Sequence, residues 1–292
     1  MKLRLLAMAL GAAVSFSAAA TPAIFTTFPN WNGAFSIKFA GFESFTAGLT
    51  VGSENYGVLQ VTSILDNHNN VMWANGKGGQ EITGVFSGIT VSSITPAGTA
   101  SALINSTGGL ASFFLNSAGS LNSTGTGSYV GFDQGTTGYT TGGCTAVNTL
   151  CYNGITNKGG TDILDVAWTP GTLSVSGDVT TTVSGTFNGI TSSQSGNATG
   201  YMNVLGGAYA NDFDTNSITL TNILNPVDLL AQNNFCTPNI AGCATAAAAS
   251  GTEFSLAIDD PVRGRLKVPE PGSLALVGAG LLAFAAARRR KA

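Results

Sequence analysis

Hydrophobic residues in this chain recur at every second position in short runs, and the runs end at glycine, asparagine or proline. FSIKFAG (35–41) puts Phe35, Ile37 and Phe39 on one side of an extended chain and Ser36 and Lys38 on the other. A period of two marks a strand with one buried face. By alternation or by β-branched runs, strands are predicted at 23–28, 35–41, 56–65, 81–86, 89–94, 111–116 and 128–132. Others are predicted at 162–168, 172–177, 179–187, 200–206, 216–224 and 253–258. VDLLAQNN (227–234), with Asn225 as cap and Pro226 at the first position, predicts one short helix. Many short strands at this spacing predict an all-β body built as a β-sandwich.

Both ends depart from this pattern. At the start, Lys2 and Arg4 precede an apolar core from Leu5 to Phe16 and the small residues Ala18, Ala19 and Ala20. This order predicts a secretory signal peptide over 1–20, cleaved between Ala20 and Thr21. Near the other end, Gly272 to Ala287 carries no charge and is apolar all round. As a helix it would rise roughly 24 Å, at the short edge of a bilayer core of about 30 Å. Arg288, Arg289, Arg290 and Lys291 follow at once, and long cationic side chains extend such a span. By the positive-inside tendency these cations stay cytoplasmic and the body lies across the inner membrane. The predicted organisation is a signal peptide (1–20), a β-rich extracellular domain (21–262) and a linker (263–271). A transmembrane helix (272–287) and a basic cytoplasmic tail (288–292) complete it.

Pro269 and Pro271 hold the strip around Glu270 extended, because proline fixes φ and disfavours helix at the preceding residue. Pro269-Glu270-Pro271, a short apolar helix and a terminal Arg cluster, in that order, resemble the PEP-CTERM sorting signal. The resemblance covers 268–292 and implies processing by exosortase, an integral-membrane cysteine transpeptidase-like enzyme. It implies export, transient anchoring in the inner membrane, cleavage near Pro269-Glu270-Pro271, and a destination at the cell surface or extracellular matrix. A second stretch, GNATGYMNVLGGAYANDFDTNSITL (196–220), resembles a segment of flocculation-associated PEP-CTERM proteins. It implies a role in cell aggregation through the extracellular matrix, and exopolysaccharide is a candidate partner of the exported body.

Composition adds to the picture. Charged residues make up 9% of the chain, against a usual quarter, and glycine reaches 39 residues. Sixteen phenylalanines and recurrent β-branched residues point to a folded body instead of a disordered one. Between Thr21 and Val262 only Lys38, Lys77 and Lys158 face fourteen acidic residues, a net −11 that the basic termini reduce to −3 for the whole chain. Such a field disfavours nucleic acid. Arg263, Arg265 and Lys267 form a basic cluster, either a solvated linker or a contact for anionic headgroups. Cys144 and Cys151 share a Cys-x6-Cys spacing with Cys236 and Cys243. An even count in an exported protein points to disulfides, with each local pair favoured over zinc, since the spacing is wide for a knuckle and His68 lies far away in sequence.

Candidate chemistry is sparse. His68 is the only histidine, it sits in a turn-like DNHNNVM, and no Gly-x-Ser-x-Gly elbow occurs. Asp162 with Asp165, and Asp259 with Asp260, are the candidate carboxylate pairs. Asp212, Asp214 and Asn216 copy the first half of a calcium loop, but Ser217 and Ile223 stand where glycine and glutamate belong. No cofactor is expected. GVFSGITVSS (84–93) is echoed by GTFNGITSSQ (185–194), as a duplicated hairpin or by chance. The expected function is a non-catalytic, exosortase-processed surface or matrix protein supporting biofilm or floc cohesion. The alternative is a secreted carbohydrate-binding module or a β-sandwich glycoside-active enzyme, with Trp31, Trp73, Trp168, Tyr56 and Tyr129 as sugar-stacking candidates.

Overall fold

The structure is a computed structural model, and it describes residues 25, 31–46, 48–96, 101–117, 161–170, 179–189, 195–219, 226–237, 256–259 and 261–267. The signal peptide with Ala20 and Thr21 lies outside the described residues. So do the predicted strands at 128–132 and 172–177, all of 23–28 except Phe25, Tyr129, Cys144, Cys151, Cys243, Asp260 and the tail from 268 onward.

The alternation read from the sequence becomes antiparallel sheet throughout. Strand β1 (Ala34–Phe45) pairs along its whole length with β2 (Glu54–Asp66), which carries the short β3 (Val71–Ala74) at one end. β4 (Gln80–Thr95) follows, then β5 (Ser101–Ser117), β6 (Thr161–Trp168) and β7 (Val183–Asn188). β8 (Ser195–Gly206), β9 (Leu229–Cys236), β10 (Leu256–Asp259) and β11 (Val262–Arg265) complete the set. A single helical turn, α1 (Ala210–Phe213), leads away from β8.

These strands form one sheet, not two packed ones. β1 bonds to β2 on one side and to both β10 and β11 on the other, so the sheet closes on itself. The ring has eight positions in sequence order: β1, β2, β4, β5, β6 with β7, β8, β9, and β10 with β11. β6 and β7 occupy one position end to end, since both pair with β5 and β8 at different heights. β10 and β11 share the last position in the same way, between β9 and β1. The expected sandwich is therefore corrected to an up-and-down barrel. Both architectures need strands with one apolar face, and closure removes the edges that a sandwich leaves open.

Three further expectations change. VDLLAQNN is not a helix: Leu229 to Cys236 is β9, paired with β8 over eight residues. The runs at 81–86 and 89–94 are halves of one strand, β4. Its inward row passes from Phe86 to Ile89 at Gly88, and the facing β5 makes the same change at Gly108 and Gly109. These glycines have φ of 74°, 74° and 111°, a region that side chains disfavour. The linker expected from residue 263 begins later, because β11 carries the sheet to Arg265.

The apolar rows converge inside the ring. Phe187, Val166, Met202 and Leu229 are fully or almost fully buried. Each such side chain contributes about 1.5–3 kcal/mol relative to exposure. Phe35 and Phe213 meet edge to face at 5.4 Å, and Phe25 packs on Phe213 at 6.4 Å, so α1 anchors against the core.

Candidate functional site

The barrel encloses a cavity of about 100 Å³ to which strands at every position of the ring contribute. Its walls are mostly aromatic and aliphatic. Glu43, Asn55, Ser106, Thr186 and Asn233 are the polar exceptions. Glu43 stands on the inward row of β1, between Phe39 and Phe45, and is 4% exposed. Burial strips hydration from its carboxylate and pushes its pKa up to about 7, while a hydrogen bond from Asn55 opposes that rise. Among the described residues, no other titratable side chain lines the cavity. A neutral or charged carboxyl is thus available in an apolar chamber near neutral pH. Sequence reasoning overlooked Glu43, although a carboxylate in register with Phe35, Ile37 and Phe39 is the signal that would have found it.

Trp168 closes the wall where β6 gives way to β7. Its ring packs on the backbones of Gly109 and Gly200 and lies 6.5 Å from Phe86. The chain ends flanking this break are tied down. Thr169 donates its N–H to Tyr201, and Thr182 donates its hydroxyl to the Gly108 carbonyl at 2.7 Å. Phe86 and Phe187, the matching phenylalanines of the sequence echo, both line the cavity. Residues 190–194 of the second copy lie outside the described residues.

At the end of the body, β11 is held between β1 and β9. Leu266 is buried and donates its N–H to Gly33, and Lys267 donates its own to Asp212, both at 2.8 Å. Residues 267–291 match the PEP-CTERM protein-sorting motif, so the motif starts where the barrel is finished. The chain is a PEP-CTERM protein. The motif targets it to exosortase as an exported protein, anchored transiently in the membrane and then cleaved. No curated protein and no solved structure matches the chain. Among the described residues no helix is long and apolar enough to cross a membrane, and Pro269, Glu270, Pro271 and Arg288 to Lys291 lie outside them.

The structure places the remaining candidate residues of this PEP-CTERM protein as follows. Trp31 and Tyr56 are buried, Trp73 is fully buried, and Trp168 turns its ring to the cavity. Sugar stacking on these rings has no exposed platform among the described residues. Asp162 and Asp165 hydrogen-bond to each other on the outer wall, and Asp165 also accepts from the Ser112 hydroxyl. Burial, then the charge of Asp165 and that hydrogen bond, push the Asp162 pKa up to about 6. Glycoside hydrolysis instead holds its pair about 5–10 Å apart across a cleft. Asp259 ends β10 and is exposed.

His68 sits in an exposed turn whose N–H groups at His68 and Asn70 are capped by Asp66 Oδ1. Near the half calcium loop, Asn216 directs its amide nitrogen at Asp214 at 3.1 Å, and Asp212 belongs to α1. The organising anion there is Asp228, 1% exposed, which the sequence reading did not single out. It accepts the N–H groups of Asn216 at 2.6 Å, Thr215 at 2.7 Å and Val204 at 2.9 Å. Among the described residues, no three His, Cys, Asp or Glu side chains gather as metal ligands. Cys236, the last residue of β9, is not a free thiol.

Proposed function

We propose that the processed protein is a non-catalytic component of the cell surface or extracellular matrix that supports biofilm or floc cohesion, with exopolysaccharide as its surroundings. The observation that carries this reading is the junction between barrel and motif. The last strand is locked in place by Leu266 and Lys267, and the sorting motif begins at residue 267. Cleavage near Pro269-Glu270-Pro271 would release a body that has lost no strand. A folded body set free outside the inner membrane, acidic and rich in Ser, Thr and Asn, suits a hydrated matrix.

The disulfide pairings Cys236 with Cys243 and Cys144 with Cys151 belong to the same proposal. Cys236 is not a free thiol, which fits a disulfide at this position whichever cysteine is its partner. Such a bridge would staple the loop leaving β9, a constraint typical of exported proteins.

The test replaces Glu270 and Pro271 with alanine in the host. The expected result is a chain that keeps its tail, stays in the membrane fraction and is lost from the surface. Normal processing and display would reject exosortase handling. Deleting the whole chain tests cohesion separately: unchanged biofilm mass and floc size would reject that role and leave the sorting intact.

A further inference from the structure

The geometry points to the barrel interior as a binding site for a ring-sized apolar amine, its cationic nitrogen held by the Glu43 carboxylate. Three features of the cavity select this chemistry. Its volume of about 100 Å³ suits a single ring; an engineered apolar cavity of about 150 Å³ takes up benzene. Its walls include Phe39, Phe86, Phe187, Phe235 and Trp168, and aromatic faces attract cations as well as rings. Phe187 and Phe235 already pack against each other at 5.1 Å and form one continuous aromatic wall.

The third feature is Glu43 itself. It is the one titratable group among the described lining residues, with Asn55 as its hydrogen-bond partner. A neutral hydrocarbon in the cavity would leave the carboxyl desolvated without compensation. An anionic ligand would add repulsion. An ammonium supplies a charge-assisted hydrogen bond in a low-dielectric chamber, where such bonds are strongest. The net −11 of the body also raises the local concentration of cations around the barrel. The raised pKa of Glu43 agrees with an acid lacking its counter-ion.

The test is calorimetric titration of the full chain in vesicles at pH 8, with protein-free vesicles subtracted. The probes are benzylamine, cationic at that pH, its neutral analogue benzyl alcohol, and benzoate. Saturable 1:1 binding of benzylamine is expected, with benzyl alcohol weaker and benzoate unbound. Glu43→Gln should weaken benzylamine about tenfold or more, as expected for loss of a charge-assisted hydrogen bond, and leave benzyl alcohol unchanged. Ala198→Leu, which fills the cavity from β8, should abolish binding of both while circular dichroism shows the barrel intact. Absence of saturable benzylamine binding, equal affinity for benzyl alcohol, or an unaltered affinity in Glu43→Gln would overturn the proposal.

Discussion

Trp168 packs directly on the backbone of Gly200: a Cβ at that glycine would stand 2.5 Å from the ring's Cδ1 and 2.7 Å from its Nε1. The contact seals the ring of strands at the one position shared by β6 and β7.

Gly200→Ala should therefore force the indole off its seat. The expected cost is about 1–3 kcal/mol, the range for overpacking a well-filled site. Urea unfolding followed by tryptophan fluorescence checks it, with a red-shifted native emission as the ring meets water.

Glu43 sets a pH dependence. Its folded pKa is raised to about 7 from 4.5, so the native state binds the extra proton between those values. Stability is greatest below about pH 4.5 for this group and falls as pH rises through 7, by about 3 kcal/mol in all. Glu43→Gln should raise the melting temperature at pH 8 and leave it nearly unchanged at pH 4.5. Thermal melts at the two values decide the matter.

Asp228→Ala should be the most damaging single change outside the apolar interior. It leaves the N–H groups of Val204, Thr215 and Asn216 without their shared acceptor. Loss of about 2–4 kcal/mol is expected from charge-assisted bonds of this kind. Hydrogen exchange should accelerate at those three amides before the rest of the sheet.

Two stop codons test where the body ends. Termination after Lys267 should preserve the far-ultraviolet spectrum and a cooperative melt. Termination after Pro261 removes β11, exposes the free sides of β1 and β9, and should abolish the cooperative transition.

Much of this architecture was legible in the chain. Alternation located β2 and β6 closely, and β1 only as far as Gly41, because those stretches keep a nearly unbroken apolar row. It failed where a functional or geometric demand interrupts the row. In β9 the inward positions are Leu229, Ala231, Asn233 and Phe235. The polar Asn233 hides the period, and the Asn225-Pro226 cap signal suggested a helix. Glu43 escaped for the same reason, as a charge on an apolar face reads as noise until the face is seen to enclose a cavity. Gly88 split β4 in two because the inward parity reverses there. Closure left no local trace, since pairing of β1 with β10 and β11 joins distant parts of the chain, and a sandwich demands the same periodicity. Asp228 gathers amides up to 24 residues away, beyond any short motif.

A ring of strands has no first and no last member. Among the described residues only the four-residue β3 lies outside the closed path, so the ring itself has no strand that lacks a neighbour on either side. A molecule of this kind, however crowded, gives a neighbouring copy little main chain on which to crystallise into a growing fibre. Association between folded copies is left to side chains and to whatever solvated polymer surrounds them, and it should respond to ionic strength where a cross-β filament would not.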